Sequence, residues 1–160
     1  MALTYLSLGS NVKPKSDFLR KAESFIEQYI GQIVQRSSDY ETDPWGVTDQ
    51  ENFINNVLLV ESYHNPHIVL SSIDKIEFSI GRERQRKWGE RKIDIDILFY
   101  DNIIVDTVNL KIPHPLIAER NFVLAPMQEI NHMFIHPIFH KTIEELYLAS
   151  SDQSAVRIIG

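Results

Sequence analysis

The chain has 160 residues, 43% of them hydrophobic and 24% charged, with no cysteine and a net charge of −6. That length fits one domain over residues 1–160 with a full hydrophobic core, and the composition excludes a low-complexity or fibrous chain. The lack of cysteine excludes disulfides and thiolate metal sites, and the acidic balance speaks against a protein that coats nucleic acid.

The opening MALTYLSLGSN lacks the basic start and cleavage site of a signal peptide, and no apolar stretch reaches membrane-spanning length. A cytoplasmic protein without membrane association is expected. Residues 3–8, LTYLSL, read as a β-strand bounded by Gly9, Ser10 and Asn11. After Pro14, apolar residues at Phe18, Ala22, Phe25, Ile26, Tyr29 and Ile30 predict an amphipathic helix closed by Gly31. Residues 33–42, IVQRSSDYET, read as one strand, 42–52 as a turn-rich loop and 53–64 as a long strand.

Asn65 before Pro66 is a helix start, followed by Val69, Leu70, Ile73, Ile76 and Ile80 on one face and closed by Gly81. KIDIDILFY (92–100) alternates as a strand should, and its turn at Asp101-Asn102 predicts a hairpin with IIVD. LIAERNFVLAPMQEI is expected to form short helical pieces broken by Pro126, and KTIEELYLAS a last helix with Thr142 near its start. Two helices interleaved with paired strands predict an α+β fold of the split βαβ type, a mainly antiparallel sheet with helices packed on it.

Chemistry concentrates at GRERQRKWGERKIDID, residues 81–96. Side chains two apart on a strand share a face, with Cα atoms roughly 6.5 Å apart. Asp94 and Asp96 therefore point one way while Ile93, Ile95 and Ile97 point to the core. Such a pair can converge on hard cations, and magnesium suits it, since that ion takes oxygen donors, keeps waters and binds substrate phosphate. The competing reading is that two aspartates merely solvate an outer strand face. Asp is a poor strand former and two like charges repel, so a solvated face would favour Thr, Lys or Glu.

Just upstream, Arg82, Arg84, Arg86, Lys87, Arg91 and Lys92 supply six of the sixteen Lys and Arg, a segment of +4 in a chain whose remainder carries −10. A cationic island on an acidic protein points to a small anionic ligand held locally, with forked arginine donors suited to phosphate. Trp88 within it also allows a nucleic-acid reading by stacking, against which the acidic remainder counts. Neither a Walker A loop nor the protein-kinase motif set occurs.

YETDPWG and DQENFINN bring Thr42, Pro44, Trp45, Phe53, Asn55 and Asn56 close together in sequence. A flat heteroaromatic ligand needs stacking partners and a side-chain amide; the alternative is loop and core packing. His114 stands between two prolines that could aim its ring. His132, His136 and His140 are four apart, but Pro137 interrupts any helix that would align them, so they read as incidental.

KWGERKIDIDIL (87–98), with SLGSN, YETDPWG, FINN, GRERQRKWGER, IPHP and ERNFVLAPMQEI in that family's order, resembles the 6-hydroxymethyl-7,8-dihydropterin pyrophosphokinases of folate biosynthesis over nearly the whole chain. The resemblance implies a ferredoxin-like α+β sandwich, a monomer, and pyrophosphoryl transfer from ATP to the hydroxymethyl group of the pterin. It implies that Asp94 and Asp96 hold two magnesium ions and act in catalysis with Arg82 and Arg91. It assigns Glu77, Arg84, Trp88, Arg91, Ile97, His114 and Arg120 to ATP, and Thr42, Pro44, Trp45, Phe53, Asn55 and Phe122 to the pterin. Asp74 and Asn109 depart from the glutamine and arginine of familiar members.

Overall fold

The first strand of the structure, a computed structural model that describes residues 1–43, 49–81 and 90–159, is β1 (Ala2–Ser10). It runs through the glycine and serine expected to end it. β1 is central, with β4 (Phe53–Ser62) antiparallel on one side and β5 (Asp94–Tyr100) antiparallel on the other. Burial on both faces explains why its apolar run does not alternate.

The six-stranded sheet has the order β5-β1-β4-β3-β8, with β2 (Gln32–Arg36) also pairing with β4. β3 is Asp39–Thr42 and β8 is Val156–Ile159. Helices α1 (Lys15–Tyr29) and α2 (Pro66–Ile80) cover one face, where Leu19, Ala22, Ile26, Val69, Ile73 and Ile76 meet Leu6, Leu8, Leu58 and Ile95. Helices α3 (Asn121–Asn131) and α4 (Ile143–Ala149) cover the other, over Tyr5, Val57, Leu98 and Phe99. This is the expected α+β sandwich. No helix among the described residues is long and apolar enough to cross a membrane.

Local signals place both α2 ends. Asn65 accepts a hydrogen bond from the Ile68 N–H, and Gly81 closes the helix at φ +100, where a side chain would be strained. Thr142 and Glu145 form a capping box at α4.

Elsewhere the structure corrects the sequence reading. Residues 33–42 are two strands, not one. The break falls at Ser37, whose hydroxyl accepts the Val57 N–H (2.9 Å) while its own N–H donates to the Val57 carbonyl (2.9 Å). A side chain thus replaces a backbone acceptor in the ladder, and the chain bends between the two pairings. IIVD does not pair with β5. Its Val105–Asp106 (β6) pairs with Lys111–Ile112 (β7) instead, around a turn closed by Thr107 and Leu110.

Pro126 does not break α3. The helix starts only at Asn121, so the proline forfeits one backbone bond, to the Phe122 carbonyl, and its ring is buried along with Leu124 and Met127. β8, on the far side of β3, has no counterpart in the sequence reading.

α3 is tied to the sheet by Glu129, whose carboxylate accepts from the Ser38 N–H and from the Tyr40 hydroxyl at 2.6 Å. Burial first, then that bond, push the Tyr40 phenol well above its ordinary value. A raised pKa stabilises the fold fully below the unfolded value and less as pH climbs past it. Stability is therefore expected to fall above about pH 10. Urea midpoints between pH 8 and 11 should show a shallower loss in Tyr40→Phe; an identical slope would remove Tyr40 as the cause.

Candidate active site

The alternation of β5 puts Asp94 and Asp96 on the α3/α4 face and Ile95 and Ile97 in the α1/α2 core. The Asp96 side chain is 39% exposed, so the pair is neither buried nor fully solvated. Two groups from the chain after β7 converge on it. His114 Nε2 lies 3.8 Å and Arg120 NH1 3.9 Å from Asp96 Oδ2.

The His114 ring is oriented by its own neighbours. Its Nδ1 accepts the Leu116 N–H at 3.1 Å, which assigns the remaining proton of the neutral ring to Nε2, the nitrogen facing Asp96. Burial, then the Arg120 cation, bring its pKa down to about 4 against the pull of Asp94, so the ring is a neutral donor near pH 7. Arg120, 5% exposed, lies over the Phe122 ring at 5.3 Å. Burial lowers its pKa despite Asp96 and Asp94, but a guanidinium stays charged. The site therefore pairs a fixed cation and a neutral donor with two carboxylates.

β5 is an edge strand, and its outer edge is pinned. Glu77 on α2, 4% exposed, accepts the Ile95 N–H at 2.9 Å, between the two aspartates, and the His114 N–H donates to the Leu98 carbonyl. Glu77, assigned to ATP by resemblance, thus braces the strand. Ile97, assigned likewise, has its side chain in the core and presents only backbone to the site's face. Arg91 is held by Asn11: the Arg91 N–H donates to Asn11 Oδ1 (2.7 Å) and the Asn11 N–H to the Arg91 carbonyl (3.0 Å). The Asn11 amide also donates to Gln50 and to the Glu51 carbonyl. Sequence reading missed this role, although the SLGSN motif contains the residue.

A second constellation lies on the same face. Asn55, 4% exposed, donates from Nδ2 to Thr42 Oγ1 at 2.6 Å, which satisfies the polar amide in an apolar strand. In register, Gly9 stands between Asn55 on one side and Asp94 on the other. Two strand spacings place the amide and carboxylate strands about 10 Å apart, and the β1 position between them is a glycine. A Cβ at Gly9 would lie 2.4 Å from Asn55 Oδ1, so the amide leans over the glycine. Gly9 is thus not the loop turn expected from sequence but a buried strand residue, the floor on which the Asn55 amide rests. Phe53 borders the same floor, and α3, which carries Phe122, packs on β3 and β4. Pro44, Trp45, Arg82, Arg84 and Trp88 lie outside the described residues.

Among the described residues no group of three or more His, Cys, Asp or Glu side chains could enclose a metal ion. His136 is buried and structural, its Nδ1 accepting the Ile138 and Phe139 N–H groups, while His132 faces Glu144. Two carboxylates on one open face do fit magnesium, which leaves most of its coordination sphere to water and substrate oxygens.

Fold and site define an α+β sandwich with a polar floor running from a buried amide to a carboxylate pair. Residues 5–132 match the family model described as 7,8-dihydro-6-hydroxymethylpterin-pyrophosphokinase (HPPK). The chain belongs to that family. It is 41% identical over 145 residues to the 2-amino-4-hydroxy-6-hydroxymethyldihydropteridine pyrophosphokinase of Aquifex aeolicus, covering 91% of this chain and 90% of the relative. The protein so named from Bacillus subtilis is 36% identical over 98% of this chain and 89% of its own length. Among solved structures, Plasmodium falciparum HPPK-DHPS with pteroate aligns at a TM-score of 0.77 and 18% identity, which bears on the fold alone. The chain covers 42% of that longer protein, and 92% of this chain is aligned.

Proposed function

We propose that the protein transfers the pyrophosphoryl group of ATP to the hydroxymethyl group of 6-hydroxymethyl-7,8-dihydropterin, giving AMP and the pterin diphosphate in folate biosynthesis. The observation that carries this reading is the Asn55–Gly9–Asp94 row. A flat ring gripped at its edge by the Asn55 amide would extend its substituent along this row toward the carboxylates. Thr42 sets the amide, and Phe53 and Phe122 offer aromatic walls, with Pro44 and Trp45 joining them by resemblance.

The hydroxyl oxygen attacks the β-phosphorus, the bond from that phosphorus to the oxygen bridging it to the α-phosphorus breaks, and AMP departs with that oxygen while the hydroxyl proton goes to solvent. Asp94 and Asp96 would hold two magnesium ions, which when bound supply neutralisation of the triphosphate charge. Arg120 adds a fixed cation and His114 an N–H donor, both oriented before substrate arrives. In this reading Arg82 and Arg91 join His114 on the phosphates, Arg84 and Trp88 belong by resemblance to the loop that closes over the reactants, and Glu77 keeps β5 in place beneath them. The cysteine-free chain suits the reducing cytoplasm.

AMP formation, followed with and without hydroxymethyldihydropterin across a magnesium titration, tests the reading. AMP should appear only when ATP, magnesium and the pterin are all present. ATP binding that ignores magnesium and weakens steeply with salt, with no AMP, would instead mark a binding module.

A further inference from the structure

The N-terminus of α3 carries both Arg120 and Phe122, yet Arg120 at the cap position offers it no side-chain hydrogen bond. The cap arrives from 31 residues downstream. Asp152 Oδ2 accepts the Asn121 N–H at 2.8 Å, and the Asp152 carbonyl accepts the Asn121 side-chain amide at 3.0 Å. The other carboxylate oxygen, Oδ1, accepts the Ser154 N–H at 2.9 Å, which sets the angle of the group. Burial works against its ionisation, but the N–H groups of Asn121 and Ser154 hold the carboxyl below the usual carboxylate range. A carboxylate is the favoured charge at a helix N-terminus.

Three residues later the same segment joins the opposite wall. The Ala155 carbonyl accepts the Asp43 N–H at 3.4 Å, Val156 is in register with Thr42, and Arg157 pairs with Glu41. Five residues, Asp152 to Val156, therefore span from the Arg120–Phe122 turn to the Thr42 end of β3. They lie beyond residues 5–132 that match the family model.

We propose that Asp152 is a positioning residue for the pterin side of the site, holding the first turn of α3 so that Phe122 keeps its distance from the Thr42–Asn55 wall. This rests on the pyrophosphokinase reading above. Asp152 touches no reacting atom; it acts through Asn121 on Phe122, the next residue of the helix. Small displacements of a binding wall are enough to weaken substrate alignment.

The test compares steady-state kinetics of the full chain with Asp152→Ala and Asp152→Asn. Loss of the cap should raise KM for hydroxymethyldihydropterin about five- to tenfold, with KM for ATP within about twofold. Asp152→Asn should recover most of the loss, because its amide oxygen can still accept the Asn121 N–H. A merely structural role would lower the thermal midpoint and the active fraction while leaving both KM values unchanged, and that result overturns the proposal. So does an equal rise in both. If Asp152→Ala fails to fold, Ser154→Pro decides, because it removes the Oδ1 bond and lets the carboxylate swing. A rise in KM confined to the pterin then supports the positioning role, and unchanged KM values reject it. Failure of the wild-type chain to form AMP would instead sink the functional reading, and the positioning role with it.

Discussion

Asp96→Ala should lower kcat for AMP formation by about a thousandfold or more, while the dissociation constant for the pterin moves by less than about threefold. The expectation follows from where the carboxylate sits. Asp96 shares the site face with Asp94, and its Oδ2 lies 3.8 Å from His114 Nε2 and 3.9 Å from Arg120 NH1. On the proposed reading, removing it deletes one of the two carboxylates that would hold magnesium, and it leaves the buried Arg120 with less opposing charge. The amide wall, across Gly9, is untouched. Asp96→Asn keeps the size and loses the charge, so it should be nearly as damaged. Rapid-quench turnover and pterin fluorescence titration separate the two effects. A kcat within tenfold of wild type would falsify the carboxylate assignment.

Gly9→Ala should be the most damaging single methyl group on the pterin side. Gly in a strand interior is ordinarily worse than Ala by about 0.5–1 kcal/mol, so propensity alone predicts a more stable protein. Space predicts the opposite. The new Cβ meets Asn55 Oδ1 at 2.4 Å, and relief requires turning the amide away from Thr42. That breaks a 2.6 Å hydrogen bond between two buried groups, at a cost of about 1–3 kcal/mol. The steric term wins. With a net loss of about 1–2 kcal/mol, a drop in thermal midpoint of roughly 2–8 °C is expected for a chain of this size. Pterin affinity should fall at least about tenfold, with ATP affinity nearly unchanged, because the amide proposed to grip the ring is displaced. A midpoint above wild type would show that the floor tolerates a side chain, and the row from Asn55 to Asp94 would lose its meaning.

Features that rest on neighbours along the chain are legible in the sequence alone. The Asp94/Asp96 alternation is a period-two pattern within one strand, and the Asn65 and Gly81 caps of α2 are set by residues a few positions apart. The break at Ser37 is not legible, because it depends on Val57 lying opposite. Nor is the pairing of β6 with β7. The turn at Asp101 looks like a hairpin locally, but the outer edge of β5 is already occupied by Glu77 and by the backbone of His114. Pro126 reads as a breaker until the start of α3 is known. β8 has too little apolar contrast to stand out, and only pairing with β3 makes it a strand.

The candidate site divides in the same way. Order and identity of side chains along one strand determined that two carboxylates share a face, and local residue types pointed to Asn55, Thr42 and His114. Only the folded chain decided that Gly9 is a floor, that Asn11 braces Arg91, that Glu77 pins an edge and that Asp152 caps a helix 31 residues upstream. Each of these is a hydrogen bond or a steric limit between residues far apart in the chain. Their partners are chosen by sheet register and helix packing, which no local pattern encodes.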